Sequence, residues 1–131
     1  MRVIRSVFCC IFIGLGLSAV GQARSPYFDQ VARIVPPHNY DSSRRYPAIV
    51  FLPYTTGTSE AQARSFGIPP GEQEEFVVIL PAGRFNRDDY LPNFMQFVEW
   101  YEERLMKDLN AALSQVSIDP GRIYLAGYSL G

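Results

Sequence analysis

At 131 residues the chain is long enough for one domain, and a composition that is 47% hydrophobic and 14% aromatic is that of a packed globular protein. That excludes a disordered tail, a coiled coil and a collagen-like repeat. With 12 Lys and Arg against 13 Asp and Glu, the formal charge is −1, which supplies no electrostatic reason to bind nucleic acid. In chain order, Arg2 and Arg5 come first, followed by the uncharged run 7–20, VFCCIFIGLGLSAV. As a helix such a run rises about 21 Å, short of the roughly 30 Å hydrocarbon core. Small residues stand at Gly21 and Ala23, with Ala19 and Gly21 as a second small-x-small pair. Together these features read as a secretory signal peptide over residues 1–23, with 24–131 as the folded part, secreted or periplasmic. The alternative is an uncleaved anchor; bulky Phe8 before Cys9 argues against a lipoprotein. After cleavage no stable membrane anchor is expected. Cys9 and Cys10 leave with the signal, so the remainder has no disulfide, thiolate metal site or cysteine nucleophile.

Residues 30–35 alternate loosely and read as a strand stopped by Pro36 and Pro37, and 38–45 (HNYDSSRR) as a polar surface loop. The run 48–52 (AIVFL) has strand length and no alternation, which suits a strand covered on both faces. Ser59 and Gln62 match a capping box for a short helix to Phe66, with Gly67 as its stop. A second buried strand is expected at 76–80 (FVVIL), then a loop over 82–92, with Asn93 and Gln96 as another capping box. From there Phe94, Phe97, Val98, Tyr101, Leu105, Leu109, Ala112, Leu113 and Val116 recur at helical spacing, with Glu103 and Lys107 on the polar side. Asp119, Pro120 and Gly121 read as a turn before a third short strand at 123–126. Strand, strand, helix, strand, helix, strand is the alternation of an α/β fold with a largely parallel sheet flanked by helices.

Directly after the last strand stands Gly127-Tyr128-Ser129-Leu130-Gly131, a G-x-S-x-G. That motif needs a strand before it and places its serine on the strained turn that follows. The glycines two before and two after are needed where neighbouring backbone passes too close for a Cβ. The stretch 118–131, IDPGRIYLAGYSLG, resembles the nucleophile strand and elbow of α/β-hydrolases. It is most similar to secreted esterases of the polyhydroxybutyrate depolymerase and feruloyl esterase type. The resemblance covers 48–131 in organisation and is close over these last fourteen residues.

The resemblance implies an α/β-hydrolase fold in which Ser129 attacks an ester carbonyl and forms an acyl-enzyme. It implies an oxyanion hole built from backbone N–H groups, one of Leu130 and one from the loop after the 48–52 strand, Tyr54 or Thr55. Here Pro53-Tyr54 stands where the family has His-Gly, so the donor from that loop stays open between the two. In that fold the triad acid and histidine follow the serine, and only Leu130 and Gly131 follow Ser129. The chain is therefore expected to be the N-terminal portion of a longer hydrolase domain, inactive through Ser129 alone.

His38, the single histidine, precedes the serine in a polar loop and reads as a surface residue. Asp88 and Asp89, and Glu72, Glu74 and Glu75, also sit in polar loops as solvated charge. They have no His or Cys companions at ligand spacing, so neither a metal nor a cofactor is expected. Trp100 and Tyr101 read as packing residues. The expected partner is a small-molecule or polymer ester; the oligomeric state is left open. A serine peptidase or acyltransferase on the same fold shares this machinery. A non-catalytic exported binding module with the α/β layout is the other alternative, and a decayed truncated product a third.

Overall fold

A computed structural model of the chain describes residues 32–83, 85 and 87–131. The expected signal peptide, with Cys9 and Cys10, and the first residues of the expected 30–35 strand lie outside them. Among the described residues the strands are β1 (Arg33–Val35), β2 (Tyr46–Phe51), β3 (Val77–Leu80) and β4 (Ile118–Ala126). The helices are α1 (Ser59–Ser65), α2 (Arg87–Tyr90) and α3 (Phe94–Gln115). The strands form one mixed sheet in the order β1-β3-β2-β4, with β2 parallel to both β3 and β4 and β1 antiparallel to β3. The architecture is α/β, as the alternation predicts.

Both faces of the sheet are covered, which explains why β2 and β3 are written as unbroken apolar runs. Ala48, Val50, Val77 and Ile79 point to one face, where Ala112, Leu105 and Leu109 of α3 close the core together with Tyr46 and Ile118. Phe51, Val78 and Leu80 point to the other, against Ala63 of α1. The chain steps from β2 to β3 with α1 on one face and returns past β2 to β4 with α3 on the other. Reversing direction while changing face keeps the two crossovers of one hand, as parallel connections require.

Four local readings are corrected. The cap of α1 is Thr58, whose hydroxyl accepts from the Ala61 N–H at 3.1 Å; Ser59 is buried and donates to the Pro81 carbonyl at 2.8 Å. Ser59 is thus used for tertiary contact, and the capping role falls to the residue before it. The strand expected at 48–52 runs instead over Tyr46–Phe51, two residues earlier at its start and one at its end, with Pro47 inside it. The proline is tolerated there because the step from Tyr46 to Ala48 faces an irregular step from Ile118 to Ile123 on β4, where ladder bonds are interrupted. That same irregularity absorbs the expected 119–121 turn into one long strand. The expected 82–92 loop holds the single-turn helix α2.

The long helix begins as predicted, with Asn93 Oδ1 accepting from the Gln96 N–H at 3.1 Å. Its buried stripe differs from the expected one. Phe94, Val98 and Leu113 are exposed, whereas Arg104 and Asp108 are buried with Phe97 and Ala112. The α1 stop is as expected. Gly67 takes φ +75°, its N–H donates to Arg64 O, and the Ile68 N–H reaches back to Ala63 O, a Schellman closure.

Candidate functional site

Parallel strands bring the loops that follow them to one end of a sheet, and in open α/β sheets that end is where ligands bind. Here the loops after β2, β3 and β4 meet at that end. Strands β2 and β4 are neighbours with Phe51 opposite Ala126, and the Leu52 N–H donates to Ala126 O at 2.9 Å. Beyond these positions the chain enters residues 52–58 on one side and 127–131 on the other.

Ser129 sits in the turn after β4, exposed, with φ +62°. A left-handed backbone is unfavourable for a serine by about 1–2 kcal/mol, so the surrounding structure imposes it. The imposition is visible at both glycines. A Cβ on Gly131 would meet the Leu52 carbonyl oxygen at 2.7 Å, and one on Gly127 would strike the carbonyl of Gly131. The turn is folded back on itself and pressed against β2, and only glycine fits at those two places.

The loop after β2 holds a second strained residue, Thr56, at φ +64°. Among the described residues Thr56 and Ser129 are the two non-glycine residues with positive φ, and they occupy adjacent loops. The Thr56 N–H donates to Phe85 O at 2.7 Å, tying the β2 loop to the β3 loop, and the Ser59–Pro81 bond ties them again. Gly57 donates to Tyr54 O, and the Tyr54 ring lies over Gly57 with no room for a side chain between them. Among the described residues the backbone N–H groups of Tyr54 and Leu130 donate to no other group, and Thr55 is half-buried beside Tyr54.

His38 is exposed and belongs to the opposite end of the sheet. It follows β1, which runs antiparallel to β3, and its N–H donates to the carbonyl of Gln73, ahead of β3. Glu72, Glu74, Glu75 and Asp88 are exposed, as solvated loop charges should be. No group of three or more metal-ligating side chains occurs among the described residues, and no helix there is long and apolar enough to cross a membrane.

The buried pair Arg104–Asp108 escaped the reading of the sequence. Arg104 Nε donates to Asp108 Oδ1 at 2.9 Å, and the two side chains are 6% and 7% exposed. Burial outweighs the guanidinium and raises the Asp108 carboxyl above its ordinary range, and burial raises the neighbouring Tyr101 phenol too. The signal was present: 97, 101, 104 and 108 share one helical stripe, so a charged pair was written into an apolar face. Thr56 left no such signal, because threonine is poorly suited to a left-handed backbone. No family model, curated protein or solved structure matches the chain.

Proposed function

We propose that the protein is an exported serine hydrolase of carboxylic esters, built on an α/β-hydrolase-type sheet, with Ser129 as its nucleophile. The observation that carries the reading is the left-handed, exposed Ser129 held between two glycines whose missing Cβ atoms make room for backbone. A serine held there at an energetic cost is one whose direction matters, and strained residues of this kind concentrate at functional sites. In the reaction Ser129 Oγ adds to the ester carbonyl. The carbonyl oxygen takes the negative charge, the alcohol leaves with a proton, and an acyl-enzyme remains for water to hydrolyse. The developing oxyanion is met by the Leu130 N–H and by an N–H of the β2 loop; the uncommitted Tyr54 amide fits that task better than side-chain chemistry would. The proton of Ser129 needs a base, and His38 at the far end of the sheet does not supply it.

The test uses the protein as its gene encodes it. A fluorophosphonate is expected to label Ser129, and hydrolysis of short nitrophenyl esters to fall by about 1000-fold or more in Ser129→Ala. A folded protein that neither labels nor hydrolyses would overturn the enzyme in favour of a binding module. Turnover of peptides or acyl acceptors in preference to esters would move the assignment to a peptidase or acyltransferase.

A further inference from the structure

The stripe of α3 that seals the core runs on past the end of the sheet. Leu105, Leu109 and Ala112 pack on Ala48, Val50, Val77 and Ile79 of β2 and β3. Helical spacing puts Phe94 and Val98 on that same stripe, 11 and 7 residues ahead of Leu105. They therefore lie about 10–16 Å farther along the axis, toward the start of the helix. Because α3 follows β3 and runs back along the sheet, its start stands at the end where the loops after β2, β3 and β4 meet. There the stripe is no longer interior. Phe94 is 51% exposed and Val98 37%, and Met95 beside them is 65% exposed.

Contacts tie this apolar start of α3 to the candidate site. Phe85 packs edge-on against Phe97 and Tyr101, each with ring centres 5.0 Å away, and its carbonyl accepts the Thr56 N–H at 2.7 Å. The first turns of α3 are thus seated on the β2 loop. In the strand order β3-β2-β4 that loop lies between them and the Ser129 turn. Two strand spacings, about 10 Å, separate β3 from β4, a span within reach of an aliphatic chain. Charge narrows the occupant. Among the described exposed residues of 87–103, Asp88, Glu99, Glu102 and Glu103 are acidic and Arg87 alone is basic. An anion would meet like charge there and would also lose its hydration, whereas a neutral chain bears neither cost. We propose that Phe94, Met95 and Val98 form the docking surface for the aliphatic chain of a neutral ester whose carbonyl is held at Ser129. This names the substrate class of the ester-hydrolase reading and rests on that reading for its catalytic consequence; the docking itself rests on the exposed stripe and its position.

Kinetics of the gene-encoded protein test the proposal first. Along nitrophenyl esters from acetate to octanoate, kcat/KM should rise about twofold for each CH2 that reaches the stripe, as for a half-buried chain, and about 10-fold or more over the series. M95S/V98S should lower the ratio of octanoate to acetate kcat/KM by about fivefold or more. A general loss of fold or of catalysis lowers both esters together and leaves that ratio in place. A flat or falling series, or an unchanged ratio in folded M95S/V98S, overturns the proposal. If the double variant does not fold, Met95→Ser alone decides, with a loss of about twofold expected in the same ratio.

Binding is read without turnover in Ser129→Ala, from the methyl NMR signals of Met95 and Val98. Methyl octanoate should shift them, and sodium octanoate at the same concentration should shift them about threefold less or weaker still. Equal shifts with the two, or none with the neutral ester, overturn the docking. Without a response to methyl octanoate, shifts that follow protein concentration assign the surface to a second copy, and capture by phosphatidylcholine vesicles assigns it to a membrane. Either result overturns the proposal. Should the unsubstituted protein neither label at Ser129 nor hydrolyse esters, the ester-hydrolase reading falls while the methyl shifts still judge the surface.

Discussion

Ser129 combines an exposed side chain with a backbone conformation that its residue type disfavours, and the two properties have separate thermodynamic signatures. Replacing it by alanine removes the hydroxyl and keeps the strain, so stability should move by no more than about 0.5 kcal/mol, as for other exposed positions. Glycine removes both. It gives back about 1–2 kcal/mol of left-handed strain and loses about 0.5–1 kcal/mol to the freer unfolded chain. Ser129→Gly should therefore be the more stable of the two variants, by roughly 0.5–1 kcal/mol in urea unfolding, while both lose the proposed nucleophile. Equal midpoints for Gly and Ala would show that the turn is not strained. The glycines around Ser129 were legible because G-x-S-x-G states a local steric need. Thr56 was not, because its N–H bonds the carbonyl of Phe85, a residue in a different loop and far from it in the sequence.

At the scale of one element, α3 shows how a helix can be read correctly from end to end and still be wrong on one side. Asn93 caps it as predicted because capping is a local contact, here between residues three apart in the sequence. The buried stripe was misread because Arg104 and Asp108 are charged residues, and their burial, like the packing of Phe85 on the neighbouring Phe97 and Tyr101, is set by tertiary structure. Their burial sets a pH dependence. The Asp108 carboxyl is raised above its ordinary 3.8 by desolvation, which outweighs Arg104, Lys107 and the Ala82 amide. The folded protein then binds that proton more tightly than the unfolded chain. The Asp108 contribution to stability thus rises as pH is lowered through its folded value toward 3.8, and falls as pH is raised again. R104M/D108L lacks this group, so in urea titrations the parent's stability relative to it should improve as pH is lowered from 7 toward 4. A difference that is flat with pH, or that moves against the parent in acid, would show that Asp108 titrates at or below its ordinary range.

Over the whole molecule, the alternation of strands and helices was enough to give the α/β class, but not the order of strands. Nothing in the run 123–126 says that it pairs with β2 instead of β3. That choice comes from the change of face between α1 and α3, a property of the whole chain path. The consequence is that, among the described residues, the long strand β4 forms an edge of the sheet. Tyr124 is 56% exposed and Leu125 62%, on opposite faces of the sheet, and Tyr128 beyond them is 74% exposed. An apolar edge with unpaired backbone groups is a template for pairing with another chain, and natural sheets commonly protect such edges with lysine. The 131-residue chain is expected to associate as its concentration rises, with light scattering reporting growing particle mass in the micromolar range. Leu125→Lys should shift the onset to at least several-fold higher concentration, because a charge must then be desolvated at each new pairing. It should leave the melting temperature nearly unchanged, since a side chain this exposed contributes little to the core. If Leu125→Lys associates as readily as the parent, the β4 edge is not the surface responsible. The exposed apolar residues before and within the first turns of α3, Leu91, Phe94 and Met95, would then be the next to test.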